Sequence, residues 1–449
     1  MRGLVVLWSC GPVVLWSLSV PMLSSAETDL VRRDPAIPGL AAVLDPDAFV
    51  AALQRAAPQA DLRTGQIAYV RYKPQTFCRI AYRVDLGGTE LDLDVRACRA
   101  DDLVQWLEDG EPACVPGPLG PGRIVLKDPA VLVTVFPNDL KLCALQHLAD
   151  AAKRKQVLRE LLPDWPNLWE AELRCWRYRP ERRYVAELRA KDGTRALLKA
   201  YTRRAYTRGS SNAQAFQSHK TLRVARLLGS SDQHRLLAFE WVPGRLLMEL
   251  CTASELDANA VAAAGAALAT LHEQNPACLS SWTCEADAAD LISLSAEVGF
   301  ICPQVARRAD TLARRLAGQL AAAPAQHCAL HGDFSANQVI VDDETVAIID
   351  LDWACSGDQA DDLGNFIAQA ERNALRGELC LDRVELLEKA LLKGYALGTE
   401  RPLPERVQLY TAVEVFRRMP LPFRGREPEW PQRTEALLDR AEQIFNALA

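Results

Sequence analysis

The period of the apolar positions changes several times along the chain, and each change predicts an element. From Asp45 to Pro58 they recur at helical spacing (Phe49, Leu53, Ala56), so a helix opens the folded part. Alternating runs follow around Tyr69–Tyr72, Phe77–Leu86 and Leu91–Ala97, as in an antiparallel meander, with Gly87-Gly88 as a turn. Asp101–Glu108 reads as a short helix, the Pro/Gly cluster from Glu111 to Gly122 as a loop, and Val131–Phe136 as a buried strand. Leu140–Leu162 is helical, and Lys153-Arg154-Lys155 is its solvated face.

A second, similar series then begins. Arg177-Tyr178-Arg179-Pro180 echoes Arg71-Tyr72-Lys73-Pro74, and Leu198-Lys199-Ala200 echoes Val95-Arg96-Ala97. The run from Leu237 to Pro243 echoes the one ending at Pro137, and the anchoring prolines are 63 residues apart in both copies (Pro74 to Pro137, Pro180 to Pro243). Residues about 69–140 therefore read as an internal repeat of about 175–246. Beyond Gly244 long helices take over: Ser254–His272 with Ser254 as cap, about Gln304–Ala322, and a tail from Asp382 broken by Pro402, Pro404, Pro420 and Pro422. Two apolar strands, Ala329-Leu330 and Val346–Ile349, lie between them.

Composition narrows the classes. The 449 residues are 49% apolar and 24% charged, which excludes a disordered or collagen-like chain. With 52 basic against 58 acidic side chains, no basic excess exists to hold nucleic acid by bulk charge. Thirteen scattered cysteines without a C-x-x-C pair argue for reduced thiols rather than a disulfide framework or structural zinc. Gly3–Val20, between Arg2 and Ser24-Ser25-Ala26, has the order of a secretory signal, but Gly11-Pro12 interrupts it. The run barely reaches the shortest spanning length.

The chemistry concentrates in His331-Gly332-Asp333-Phe334-Ser335-Ala336-Asn337 and in Ile348-Ile349-Asp350-Leu351-Asp352. A carboxylate stands on a loop after a short strand, with an amide four residues on and a second carboxylate at the end of a buried strand. The Asn carbonyl and Asp carboxylate are hard oxygen ligands of the kind Mg²⁺ prefers. Asp333 beside them is placed to accept a hydrogen bond from a substrate hydroxyl. Such a set suits phosphoryl transfer, which depends mostly on positioning and electrostatics.

These motifs resemble the catalytic and metal motifs of aminoglycoside phosphotransferases and choline kinases, with H-G-D-x-x-x-x-N met here as H-G-D-x-x-x-N. The resemblance covers about Leu168 to Phe366. It implies an α+β, bilobal protein-kinase-like fold and ATP and Mg²⁺ as cofactors. Asp333 would be the catalytic base and His331 a structural member of its loop. Asn337 and Asp350 would hold the metal, with Asp352 a secondary acidic partner. Lys199 would reach the α/β-phosphates, and the backbone of Phe239–Gly244, through the Glu240 carbonyl and the Val242 N–H, would pair with adenine.

Three departures from the family pattern matter. No glycine-rich loop precedes Lys199, so arginines of the hairpin from Arg177 to Arg183, Arg182 above all, are expected on the phosphates. No acidic residue lies between Gly193 and Ser231 to pair with Lys199, leaving Gln214 or Gln217 as substitutes. Gln359 stands where relatives tend to have proline, and Asp362 is expected to cap a helix. His327, Cys328 and His331 do not share a face for zinc, and His272 reads as a packed or capping residue.

The expected organisation is an apolar extension and linker (1–44), a degenerate small-lobe-like domain with a helical linker (45–164), a small lobe (165–243) and a helical large lobe (244–449). The first copy carries Arg96 where the second has Lys199 and lacks an Asp/Asn set, so it is not a second active site. The expected function is ATP-dependent phosphorylation of a small-molecule hydroxyl, the alternative a nucleotide-binding pseudokinase acting as sensor or scaffold. A protein kinase is disfavoured because only about a dozen residues separate Asp350 from Asp362. A need for ATP makes a cytoplasmic location the expectation. The apolar start is then an extension ahead of Met22, with a tether to the inner face of a membrane through residues 3–20 as the second reading. Arg417, Arg418, Arg424 and Arg426 near Trp430 read as a solvated basic face, with contact to an anionic acceptor as the alternative. No nucleic-acid partner is expected, and the oligomeric state is open.

Overall fold

Several helices begin where a side chain caps them. The computed structural model describes residues 23–108, 113–274, 276–322, 326–342 and 345–448; the apolar run 3–20 lies outside the described residues. Helix α1 (Ser25–Arg33) opens with a capping box between Ser24 and Glu27. After α2 (Leu40–Leu44), α3 (Pro46–Ala56) starts at Asp45, whose carboxylate accepts the Asp47 and Ala48 N–H groups. Leu30, Ile37, Leu40, Val43 and Leu44 are buried, so 25–44 is part of the fold and not the linker expected to residue 44. These helices are too short for their period to show.

The first sheet is antiparallel: β1 (Leu62–Lys73), β2 (Phe77–Leu86), β3 (Thr89–Cys98), β4 (Arg123–Leu126) and β5 (Val131–Val135), in the order β1-β2-β3-β5-β4, with α4 (Ala100–Glu108) after β3. Then come α5 (Leu145–Ala149) and α6 (Ala151–Leu161), two helices where one was expected, because Asp150 breaks off the first to cap the second. The second sheet is β6 (Glu172–Arg179), β7 (Arg183–Arg189), β8 (Arg195–Tyr201), β10 (Leu227–Ser231) and β11 (Leu236–Glu240), in the order β6-β7-β8-β11-β10; α7 (Arg203–Asn212) and the short β9 (Leu222–Val224) follow β8. Both sheets thus share one strand order, each has a helix after its third strand, and each follows a 5-residue and an 11-residue helix.

A side-chain corner also recurs. Asp34 Oδ2 accepts the Tyr72 hydroxyl (2.5 Å) and the Gln75 N–H (2.8 Å). Asp139 Oδ2 accepts the Tyr178 hydroxyl (2.9 Å) and the Glu181 N–H (2.8 Å). Gln75 and Glu181 both have left-handed backbone, φ 57° and 51°.

The helical part runs β12 (Arg245–Leu246), α8 (Leu247–Thr252), α9 (Ala258–Glu273), α10 (Cys284–Ile301), α11 (Ala306–Ala321), β13 (Cys328–Leu330), β14 (Val339–Val341), β15 (Val346–Ile348), β16 (Cys355–Gly357), α12 (Ala360–Leu375), α13 (Leu381–Gly398), α14 (Val407–Arg417), α15 (Leu421–Arg424) and α16 (Trp430–Asn446). Asp257, not Ser254, caps α9, accepting the Ala260 N–H at 3.0 Å. The antiparallel pairs β13–β16 and β14–β15 hold the two chemical loops against these helices.

The arginines of the tail do not form a solvated face. Arg417 pairs with Asp287 and Glu414, Arg418 with Glu414 and Asn365, Arg424 with Glu297 and Arg426 with Glu27, all from distant segments or within the packed helix. The twelve cysteines among the described residues are unpaired. No described helix is long and apolar enough to cross a membrane.

Candidate active site

His331-Gly332-Asp333 leaves β13 in a tight loop that is fastened from several sides. The buried Asp362 carboxylate accepts the His331 N–H (2.7 Å), the Gly332 N–H (2.9 Å) and His272 Nε2 (2.9 Å); His272 Nδ1 in turn meets the Tyr395 hydroxyl. Burial opposes ionisation of Asp362, yet its bond to His272 and the surrounding donors hold the carboxyl below its ordinary value. Asp362 is therefore a clamp on the loop from the first turn of α12, not the expected helix cap, whose position Gln359 takes. His331 Nδ1 accepts the Asp333 N–H (3.1 Å), so Nε2 carries the proton and donates to the Ile349 carbonyl (2.8 Å). That bond ties the loop to the residue before Asp350. Gly332 has φ 75°, and a Cβ there would lie 2.3 Å from the Trp353 carbonyl oxygen, so the turn needs glycine.

Asp350 ends the opposite strand in left-handed backbone (φ 64°), a conformation that costs a non-glycine residue about 1–3 kcal/mol. Its carboxylate accepts Lys199 Nζ at 2.6 Å and Arg183 at 2.9 Å. Asp352 accepts Lys199 (3.1 Å), Arg183 (3.1 Å) and the Tyr201 hydroxyl (2.9 Å). Burial would push Asp350 up, but Lys199 and Arg183 overcome it and hold the carboxyl far below the usual range. Helix α7 grips the following turn: Arg208 donates to the Asp352 carbonyl and Asn212 to those of Leu351 and Ala354.

Lys199 thus meets the carboxylates of the second motif, and neither Gln214 nor Gln217 substitutes for a helix acid. Gln217 bonds Gln274 through its backbone. The hairpin arginine at the site is Arg183 rather than Arg182. Register explains this: Arg183 pairs across with Tyr201 and Val185 with Lys199, so Arg183, Tyr201 and Lys199 share a face, while Arg182 lies on the turn and lines a cavity against the first sheet. Tyr201, Arg208 and Asn212 were also missed. Alternation along β7 and β8 could have pointed to Arg183 and Tyr201, but nothing local marks the other two.

Two cavities share part of their lining at this cluster. An apolar slot of about 680 Å³ lies among Leu197, Val224, Phe239, Trp241, Ile340 and Ile349, with Glu240 and Val242 also on its wall and Lys199, Asp350 and Asp352 at its inner end. The second, of about 980 Å³, is lined by Asp333, Ser335, Asn337, Arg177, Arg183 and Gln369, and shares Lys199 and Asp350 with the first. The structure therefore brings Asp333, Asn337, Asp350 and Lys199 to one cleft. Asp333 is reached by solvent from the open cleft, but protein surrounds it, and that desolvation pushes its carboxyl up to about 6. No group of three or more His, Cys, Asp or Glu side chains able to hold a metal ion occurs among the described residues. The candidate donor set for Mg²⁺ is instead an amide and two carboxylates, oxygen ligands only, which fits that ion.

Residues 188–410 match the model of a phosphotransferase enzyme family. This part of the chain belongs to that family. Similar solved structures include a putative fructosamine-3-kinase from Thermobifida fusca (19% identity, 65% of this chain and 98% of that one, TM-score 0.42). A choline kinase from Cryptosporidium parvum is 11% identical over 67% of this chain and 96% of its own, TM-score 0.46. A macrolide 2′-phosphotransferase from Brachybacterium faecium is 19% identical over 64% and 96%, TM-score 0.41. No curated protein matches. The phosphotransferase segment contains both motifs, Lys199 and the whole lining of the slot, whereas the first sheet and Arg183 precede it.

Proposed function

We propose that the protein transfers the γ-phosphoryl group of ATP to a hydroxyl of a small molecule. The observation that carries this is the convergence of Asp333, Asn337, Asp350, Lys199 and Arg183 on one cavity that shares part of its lining with an apolar slot. In this proposal adenine occupies the slot and pairs with the Glu240 carbonyl and the Val242 N–H. Lys199 and Arg183 turn to the phosphates, since guanidinium forks and ammonium groups pair with phosphate oxygens. Asn337 and Asp350 would hold Mg²⁺, with Asp352 beside them, and the bound ion supplies charge neutralisation. Asp333 accepts the hydrogen bond of the acceptor hydroxyl and aligns it, and His331 keeps the Asp333 backbone in place.

The first unit is, in the same proposal, a degenerate copy of the small lobe. Its strand order, its preceding 5- and 11-residue helices and its Asp34–Tyr72–Gln75 corner support this. Arg96 occupies the register position of Lys199, opposite Leu132 as Lys199 is opposite Leu237.

The test is a screen of hydroxylated metabolites with ATP and Mg²⁺, reading ADP. Asp333→Asn should lower turnover by roughly 10²–10⁴-fold while nucleotide still binds. Near-normal turnover in that variant would remove Asp333 from its role. A chain that binds nucleotide but phosphorylates nothing would return the non-catalytic alternative.

A further inference from the structure

A second cationic cavity lies outside the cleft, at the seam between the first sheet and the β6–β7 turn. Its wall includes Tyr69, Arg71, Arg79, Arg179 and Arg182. Register puts Arg71 directly opposite Arg79, and Arg79 opposite Arg96, so three arginines stand in one row across β1, β2 and β3. A sheet ordinarily avoids like charges directly opposite one another.

The carboxylates nearby are already engaged. Arg79 pairs with Asp94 (2.8 Å) and with Glu181, and Glu181 also holds Lys141 (2.8 Å). Asp139 is occupied by Tyr178 and the Glu181 N–H. Neither Arg71 nor Arg182 forms an ion pair among the described residues; Arg71 lies over the Phe77 ring at 5.5 Å, and Arg179 over Tyr69 at 4.9 Å. Burial, then the charges of Arg182 and Arg79, pull the Arg71 guanidinium below its ordinary value, and the Glu181 carboxylate, shared with Arg79 and Lys141, offsets them only in part.

We propose that this cavity binds a phosphate-bearing small molecule through Arg71 and Arg182. A phosphate group brings up to two charges and several oxygens in tetrahedral array, enough to give each of two guanidinium forks its own pair of oxygens, whereas a carboxylate offers two oxygens and one charge. The location gives the site a consequence. Arg182 faces the first sheet while Arg183, the next residue, bonds Asp350 and Asp352 in the cleft. A ligand held by Arg182 therefore fixes the turn that delivers Arg183, and the first unit becomes an effector module rather than a second reaction centre. The site stands on its own residues and is independent of what the cleft is proposed to do.

The full chain is titrated calorimetrically with tripolyphosphate, glucose 6-phosphate and inorganic phosphate. The double variant Arg71→Gln/Arg182→Gln should bind the tightest of these at least about tenfold more weakly, because two charge-assisted contacts are lost. Lys199→Ala should leave that binding event in place. Arg182→Gln alone, a change at an exposed turn residue, should give a partial loss and guards against misfolding of the double variant. Tighter binding of tripolyphosphate than of glucose 6-phosphate assigns a polyphosphate chain, and the reverse assigns a phosphate monoester. Unchanged titrations in both arginine variants overturn the proposal, as does loss of all phosphate binding in Lys199→Ala. Citrate binding as tightly as the phosphates would overturn the choice of ligand.

Discussion

Asp333 and Arg183 show how far a single residue's behaviour depends on its surroundings. Desolvation in the cleft raises the Asp333 carboxyl to about 6, so a larger share of it is protonated at mildly acidic pH than in water. The ionised form is the stronger acceptor for the hydroxyl's hydrogen bond and the one able to take its proton. The expected outcome is an acidic limb in log kcat/KM that bends near pH 6 and falls about tenfold per pH unit below it. A limb bending near pH 4 would mean that solvent in the open cleft restores the ordinary value. Arg183 makes two charge-assisted contacts with the motif carboxylates and is proposed to turn to phosphate. Arg183→Ala should therefore raise the nucleotide KM by roughly 10–100-fold, with Arg183→Lys recovering part of it. Asp333 was legible from seven consecutive residues, because a loop that short sets its own geometry. Arg182 was named ahead of its neighbour Arg183, because the sequence does not show that the turn ends at Arg182 and that Arg183 is the first strand residue, whose register with Tyr201 turns it to the cleft.

At the scale of elements, helices α9 and α13 approach closely enough to need glycine at the contact. A Cβ on Gly394 would fall 1.8 Å from the Ala262 carbonyl oxygen, and one on Gly265 would fall 2.2 Å from that of Leu391. The obstacle in both cases is backbone, which cannot rotate away. Gly394→Ala should destabilise the fold by about 1–3 kcal/mol, read from denaturant unfolding, with a lower melting midpoint. This pair matters to the site because α9 carries His272 and α13 carries Tyr395, both linked to the Asp362 clamp. The sequence announced α9 by its run of alanines and the helix from Asp382 by its period, but not that the two pack together. Helix α10 was missed outright, since small polar and acidic residues spread along Cys284–Ile301 blur its apolar period.

The whole molecule extends well beyond the phosphotransferase segment. Residues 25–44 lie under the first sheet, with Glu27 paired to Arg426 near the far end of the chain and Asp34 bonded to Tyr72. Five apolar side chains there are buried, each stabilising by roughly 1.5–3 kcal/mol, so together they contribute on the order of a domain's whole stability. A chain shortened to begin after Leu44 should fail to fold cooperatively, seen as loss of a single calorimetric transition and as aggregation on size exclusion. A sharp transition near that of the full chain would show that the segment is dispensable.

By itself the sequence determined the pieces whose physics is local: the helical spacing from Asp45, the alternation of the two meanders, and the spacing of the loop and strand-end motifs. Consecutive residues suffice for these, because hydrogen bonds and dihedral preferences act over a few positions. Only the tertiary structure decided what those pieces meet. It paired Lys199 with Asp350 and Asp352, clamped the loop with Asp362, turned the tail arginines inward onto Asp287, Glu297 and Glu27, and closed a cationic cavity between the two sheets. Ion pairs and cavities depend on which distant surfaces pack together, and no window along the chain contains both partners.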